Sequence, residues 1–318
     1  MSREKPVLAI VVPCFDESCL INDVMEQLLH KLNDLKGKGF IDEQSFLYFV
    51  DDGSQDETWR KIEDKHGSDP TVKGARLSRN YGHQNALLAG LLSVSEDADC
   101  AISIDADLQQ DIEAIPEFID KYRAGAEIVF GVRRDRNVDS RFKKWTANIF
   151  YTLIHLLGAN TIRNHADYRL VGKKALVALS SYTEFNIFLR GIFPNMGFAT
   201  DQVFFDVRKR GGGQSKYTFL KMLSFAVNGI TSYSVAPLRL ISLLGITTFI
   251  AALFMSGYIL FQAFIIKQTV PGWASTVLPV YVIGGIQLFC IGVVGEYVGK
   301  IYGETKSRPR YIKTQELT

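Results

Sequence analysis

The chain has 318 residues, 36 Lys and Arg against 34 Asp and Glu, a net charge of +2 and 47% hydrophobic residues. That is enough apolar material for one large domain or two smaller ones, and it excludes disordered, collagen-like and disulfide-scaffold classes. The near-neutral balance argues against nucleic acid as a partner, which shows as a basic excess or stripe.

Residues 1 to about 210 alternate short apolar, β-branched runs with amphipathic stretches. Strands are predicted at Val7 to Val12, Phe46 to Val50, Val72 to Leu77, Cys100 to Ile104 and Glu127 to Val132. Helices are predicted between them at Ile21 to Leu35, Thr58 to Lys65, Asn85 to Ser93 and Ile112 to Arg123. Ser54 followed by Glu57 reads as a capping box opening the second helix. The alternation implies an α/β fold whose mostly parallel sheet is covered on both faces.

Ligands of such sheets bind beyond the carboxyl ends of the strands, and there this chain is acidic. The first run ends in Pro13-Cys14-Phe15-Asp16-Glu17, the second in Asp51-Asp52-Gly53-Ser54 and the fourth in Asp105-Ala106-Asp107-Leu108-Gln109. Carboxylates crowded at one edge repel each other unless a cation or hydrogen-bond donors compensate. Alternate residues of an extended segment aim at one point, so Asp-x-Asp suits a hard divalent cation that also holds phosphate oxygens. No GxGxxG follows the first run and no GxxxxGK[ST] occurs, so a phosphate ligand would depend on metal, Arg and Lys.

Arg141-Phe142-Lys143-Lys144-Trp145 leads into an apolar stripe through Ile149, Phe150, Leu153, Ile154 and Leu157, which reads as an interfacial helix or a core helix. A juxtamembrane segment is expected over 211–238. Leu240 to Ile266 and Gln268 to Gly295 contain no charged residue, and about 20 mostly apolar residues suffice for a helix to cross a bilayer. Two transmembrane helices are therefore expected within 239–295, at about 240–266 and 274–295, with a tail over 296–318. Arg208, Lys209, Arg210, Lys216, Lys221 and Arg239 precede the first span, and Lys300, Lys306, Arg308, Arg310 and Lys313 follow the second. Only Lys267 lies between, which places both termini in the cytosol. The N-terminal apolar run is too short for a signal peptide, so residues 1 to about 235 are expected to stay cytosolic, with Cys14, Cys19, Cys100 and Cys290 reduced.

The ordered motifs Val11-Val12-Pro13, Phe15-Asp16-Glu17, Asp51-Asp52-Gly53-Ser54, Arg79-Asn80-Tyr81-Gly82, Asp105-Ala106-Asp107-Leu108-Gln109, Asp167-Tyr168-Arg169 and Gly213-Gln214-Ser215-Lys216-Tyr217 resemble family 2 glycosyltransferases of the GT-A fold. More narrowly, the chain is similar to polyprenyl-phosphate glycosyltransferases, relatives of dolichol-phosphate mannose synthase. The two spans and the ending Gly295-Glu296-Tyr297-Val298-Gly299-Lys300, then Arg308-Pro309-Arg310-Tyr311, resemble bactoprenol (undecaprenyl-phosphate) glucosyltransferases.

The resemblance implies roles for particular residues. Pro13, Asp16, Glu17 and Asp52 would line the nucleobase and ribose pocket, with Arg79 and Asn80 near the nucleotide. Asp105, Asp107 and Gln109 would hold Mg²⁺ or Mn²⁺ against the diphosphate, with Asp105 also contacting the nucleotide sugar. Arg133, Arg134, Arg208 and Lys216 would meet donor or lipid phosphates, and Asp167 and Asp107 would serve the reaction centre. Two positions depart from the family pattern, which usually has Asn in place of Asp16 and Gly in place of Ala166.

The implied reaction moves a hexose, glucose by the nearest resemblance, from a nucleotide sugar such as UDP-glucose to undecaprenyl phosphate at the inner face of a bacterial cytoplasmic membrane. The product is a lipid-linked sugar for cell-envelope glycans such as O-antigen. A phosphate monoester has its second pKa near ~6 and is already mostly dianionic at neutral pH. Asp167 is then expected to orient groups at the centre, with a base role as the alternative. GDP-mannose or a UDP-linked aminosugar are alternative donors, and a homo-oligomer, a tetramer by analogy, is an implied assembly. A processive polysaccharide synthase is the competing activity, although the chain lacks Gln-x-x-Arg-Trp. A scaffold that has lost catalysis is the non-enzymatic one.

Overall fold

The computed structural model describes residues 4–134, 165–184, 187–206 and 273–318, with isolated helical positions between 238 and 261. The apolar stripe from Ile149 to Leu157, the juxtamembrane segment up to residue 237, Arg208 and Lys216 lie outside the described residues. Two units divide the chain. The first holds Met1–Tyr151, Asn160–Lys216 and Arg308–Thr318, and the second holds Thr152–Ala159 and Tyr217–Ser307.

The first unit is an α/β domain built on one eight-stranded sheet. Its strands are β1 (Leu8–Cys14), β2 (Phe46–Asp51), β3 (Val72–Leu77), β4 (Cys100–Ser103), β5 (Ile128–Arg133), β6 (His165–Gly172), β7 (Thr200–Phe205) and β8 (Lys313–Leu317), in the order β7-β5-β6-β4-β1-β2-β3-β8. Most neighbours run parallel; β6 is antiparallel to β4 and β5, and β8 is antiparallel to β3. The helices are α1 (Ile21–Gly37), α2 (Thr58–Ser68), α3 (His83–Ser93), α4 (Ile115–Arg123), α5 (Lys173–Leu179) and α6 (Leu189–Asn195), with a 3-10 turn at Ile112–Ala114.

Period-two alternation splits the core into two layers. Leu8, Ile10 and Val12 point to one face, where Leu28 and Leu32 of α1 and Phe118 of α4 cover them. Ala9 and Val11 point to the other, under Leu87 and Leu91 of α3 and Leu176 of α5. Strand β1 is buried along its whole length, which explains why it reads as a continuous apolar run rather than an alternating one.

Two sequence expectations need correction. Ser54 does not cap α2: the N-cap residue is Glu57, with no side-chain cap bond, and the Ser54 hydroxyl instead accepts from the Asp16 amide at 3.0 Å. The 3-10 turn over Ile112–Ala114 takes the place of the first turn expected of the fourth helix, and Asp111 caps it by accepting from the Glu113 amide.

The last residues supply an eighth strand, which the sequence pattern did not announce. Its register places Leu317 opposite Gly74 and Gln315 opposite Arg76; the Tyr48 hydroxyl donates to Glu316 at 2.7 Å, and Arg310 donates to the Tyr182 carbonyl at 2.6 Å.

In the second unit α7 (Trp273–Thr305) runs 33 residues and covers most of the second charge-free stretch. Among the described residues no helix is long and apolar enough to cross a membrane. Several side chains in the N-terminal half of α7 lie outside that set, so the two-span expectation rests on the sequence.

Candidate active site

Strands β1, β2 and β4 end at one edge of the sheet, and β6, running the other way, begins there. The register of β4 with β6 pairs Ser103 with Arg169, and continued by two residues it sets Asp167 opposite Asp105. The Ser103 hydroxyl donates to the Asp167 carbonyl and fixes that backbone to β4.

Asp167 is 6% exposed, and four side chains gather on it. Arg169, fully buried two residues on, donates through Nη2 to Oδ1. Arg190 of α6 donates through Nε to Oδ1 at 3.1 Å and through Nη2 to Oδ2 at 2.9 Å. Gln84 Nε2 lies 3.5 Å from Oδ2, and His83 Nε2 lies 3.6 Å from Oδ2 and 3.6 Å from Asp105 Oδ1. Burial opposes the charge on Asp167, yet the nearby His83 and the two guanidinium groups outweigh it and hold the carboxyl well below the usual range. Burial lowers Arg169 to about 10, against the pull of Asp167, so it stays charged at neutral pH. Asp105 moves the other way. Burial raises it, the imidazole of His83 works against that rise, and the charges on Asp167 and Asp107 add to it.

The turn after β4 bends at Leu108, whose φ is +44, and the Leu108 amide donates to the Asp105 carbonyl at 3.1 Å. Gln109 donates its amide to Asp107 Oδ1 at 3.2 Å. The amide side chain that reaches Asp105 is that of buried Gln110, not Gln109. Two carboxylates on one turn, with one of them destabilised by its own neighbours, fit a hard cation. No group of three or more His, Cys, Asp and Glu is gathered to hold a metal among the described residues. A cation here would therefore take two carboxylates from the protein and further oxygens from a ligand.

The neighbouring loops are locked onto one another. Asp16 stands at φ +52, a conformation that Asp and Asn adopt more readily than other side chains, so the departure from Asn leaves the backbone unchanged. Its Oδ1 accepts from the Gln55 amide at 2.8 Å, and the Glu17 amide donates to the Thr58 hydroxyl at 3.0 Å. Pro13 lies within β1 opposite Val50. Asp51 is buried with Arg76 Nε at 3.3 Å. Asp52 accepts from the amides of Tyr81 at 2.7 Å and Gly82 at 2.9 Å, so its carboxylate fixes the 79–82 loop. Burial raises Asp52, against these two donors. In that loop Arg79 lies over the Tyr81 ring at 4.1 Å, and Asn80 Oδ1 accepts from the Gly82 amide at 3.0 Å. Arg79 and Asn80 are exposed.

Arg133 ends β5, and Arg134 follows with Asp206 at 3.6 Å; both are exposed. The structure thus brings Asp105 and Asp167 together and ties Asp16 to Asp52 through the 52–55 turn. His83, Gln84, Arg190 and Gln110 join the site without having been singled out in the sequence. His83 and Gln84 directly follow the Arg79–Gly82 motif, which was the one signal available for them.

Residues 9–180 match the family described as "Glycosyl transferase family 2". The uncharacterized glycosyltransferase YkoT of Bacillus subtilis (strain 168) is 48% identical over 314 residues, covering 98% of this chain and 92% of that protein. The bactoprenol glucosyl transferase of Shigella phage SfX is 36% identical over 306 residues, covering 96% of this chain and 98% of that one. The structure of glucosyl-3-phosphoglycerate synthase from Mycobacterium tuberculosis with Mn²⁺, UDP-glucose and phosphoglyceric acid is 18% identical, covers 71% of this chain and 78% of that chain, and has a TM-score of 0.43. With the family match spanning more than half of its length and such relatives aligned nearly end to end, this chain belongs to the family 2 glycosyltransferases.

Proposed function

We propose that the protein is a membrane-anchored transferase that moves glucose from UDP-glucose to undecaprenyl phosphate at the cytosolic face of a bacterial inner membrane, with inversion at the anomeric carbon. The observation that carries the reading is that Asp105, on the turn that also carries Asp107, and Asp167 share the His83 imidazole at 3.6 Å each, where β4 ends and β6 begins. The relatives named bactoprenol glucosyl transferase, aligned over almost the whole chain, support glucose and a polyprenyl acceptor.

Three features support the membrane anchor. Described positions of the second unit expose large apolar side chains, among them Phe254 at 77%, Leu288 at 73% and Ile291 at 67%, a pattern that water penalises and lipid does not. The two stretches without charge are long enough to cross. The first unit contains both the chain up to Lys216 and the strand after Arg308, which supports an anchor that, in this reading, would leave and return on the same side of the bilayer.

In this reading the loops 13–17, 52–55 and 79–82 bind the nucleotide. Mg²⁺ or Mn²⁺ held by Asp105 and Asp107 would neutralise the charge that develops on the diphosphate as it leaves. The acceptor phosphate, already dianionic, attacks from the opposite face and needs little deprotonation. Asp167, ionised and gripped by two guanidinium groups, is a weak proton acceptor and serves to orient the centre. The exposed cations Arg133 and Arg134, and with them Arg208 and Lys216, offset the repulsion between two phosphate groups.

The test is transfer by the full chain in lipid nanodiscs supplied with undecaprenyl phosphate. Label from UDP-glucose entering an acid-labile, organic-extractable lipid is the expected result. Label from GDP-mannose or a UDP-aminosugar alone would replace the donor, and water-soluble polymer would replace the activity with that of a synthase.

A further inference from the structure

We infer that Arg190 contacts a phosphate oxygen at the reaction centre, and that Asp167 acts through Arg190 as the residue that positions its guanidinium. The inference rests on the transferase reading and adds to it a residue and a division of labour.

Geometry makes the case. Arg190 meets Asp167 side-on, Nε to one oxygen and Nη2 to the other, and this two-point contact fixes the plane of the guanidinium. The helix that carries it is also held: Gln84, beside Asp167, accepts from the amide of Leu189, the residue before Arg190, at 3.2 Å. Two guanidinium groups therefore converge on one carboxylate. Of the two, the Arg169 side chain is 0% exposed, with the Phe193 ring of α6 4.9 Å from its guanidinium, and can meet no solute. The Arg190 side chain is 35% exposed, against 7% for Asp167.

The face that a substrate meets is consequently lined by Arg190 and by His83, 43% exposed, with the Asp167 carboxylate behind them. A carboxylate in that position reaches substrate through its partners. A planar guanidinium with a fixed orientation suits a phosphate oxygen, since the geometry is set before the ligand arrives. That oxygen belongs either to the donor diphosphate or to the acceptor phosphate, and the two are separable by experiment.

Arg190→Gln, Arg190→Lys, Asp167→Asn and the Arg190→Gln, Asp167→Asn double variant are compared with the wild type as full chains in nanodiscs, with circular dichroism melts as the check on folding. UDP affinity in the presence of Mg²⁺ is measured by calorimetry, and KM for undecaprenyl phosphate by initial rates. Arg190→Gln is expected to weaken one of the two by about tenfold, with Lys recovering part of the loss. A shift in UDP affinity assigns the contact to the donor, and a shift in acceptor KM assigns it to the lipid phosphate. Both quantities staying within about twofold of wild type in both Arg190 variants overturns the contact.

Asp167→Asn added to Arg190→Gln is expected to cost little more than Arg190→Gln alone. Losses that multiply would show that Asp167 acts on substrate directly and would overturn its positioning role. A wild type that binds UDP but transfers nothing refutes the transferase reading, while UDP affinity still decides Arg190. A wild type that binds neither UDP nor GDP refutes both.

Discussion

Gly53→Ala is the substitution whose effect the structure specifies most closely. Gly53 has φ +72, and a Cβ added there would overlap the Arg79 backbone carbonyl carbon and lie 2.6 Å from its Cα. A left-handed backbone costs a non-glycine residue about 1–2 kcal/mol. To restore ordinary contact, the Arg79–Asn80 backbone must retreat by about 1 Å, because carbon atoms settle near ~3.5 Å. That retreat strains the bonds from the Tyr81 and Gly82 amides to the Asp52 carboxylate, where a hydrogen bond to a charged group is worth about 1.5–3 kcal/mol. The expected loss is about 3–5 kcal/mol in urea denaturation, together with weaker UDP binding, because the displaced loop is the one assigned to the nucleotide. Gly39→Ala serves as the control. Its φ is +71, but its Cβ would meet only the Lys5 side chain at 3.6 Å, so it carries the conformational term alone. Equal losses in the two variants, or unchanged UDP affinity in Gly53→Ala, would refute the argument from close approach.

Asp107→Ala is expected to abolish transfer while leaving the melting temperature within a few degrees of wild type, and chelation by EDTA should do the same reversibly, with Mg²⁺ or Mn²⁺ restoring activity; turnover persisting in either case removes the metal from the mechanism. Removing residues 311–318 strips β8 from β3, with the Tyr48–Glu316 bond, and should lower the melting temperature and promote concentration-dependent association along the bared strand edge, visible by light scattering. Asp56→Ala tests an acid-sensitive contact. Burial would raise Asp56, but bonds from Thr58 and Ser18 lower it to about 2, below the unfolded value of about 3.9, so its contribution is present above pH ~4 and fades as pH falls toward 2. The group is exposed, so the variant should be about 1 kcal/mol less stable at pH 7, with the difference vanishing near pH ~2 in parallel urea melts.

Periodicity located the first half of the domain closely because β1 and β2 are buried along their whole length and α1, α2 and α4 carry clear apolar stripes, whereas α3 is a short run buried on nearly all sides. β1 was expected from Val7 and starts at Leu8; α1 was expected to end at Leu35 and extends to Gly37. Elements after Arg133 escaped for identifiable reasons. β6 carries Asp167 and Arg169 within its span, so its polar residues mask the strand pattern, although both are buried by pairing with each other. β7 is exposed at four of its six positions, and β8 has no fully buried position, as expected of strands at the two edges of the sheet. The carboxylates of the site were legible as strand-end residues, whereas Arg190 was not. It lies in a short helix with no motif around it, and only the fold brings it 23 residues back to Asp167.

The antiparallel strand explains why the site takes this form. If β6 ran parallel to β4, its carboxyl end would lie at the active edge and the Asp167 end at the opposite one, remote from Asp105. Reversal puts the start of β6 beside the end of β4 and brings the two aspartates around one imidazole, His83 Nε2 lying 3.6 Å from each. Two like charges so close, one buried and one half-buried, are unfavourable unless each is given its own compensation. Asp167 receives it permanently, from Arg169 and Arg190. Asp105 has a neutral amide from Gln110 and an imidazole at 3.6 Å, and its carboxyl is raised rather than lowered. This asymmetry gives the two carboxylates different roles. The one already balanced by protein cations is structural support for the centre, and the one left short of positive charge is where an incoming cation gains most. If Asp105→Asn bound Mn²⁺ in the presence of UDP as tightly as wild type, that division would be wrong.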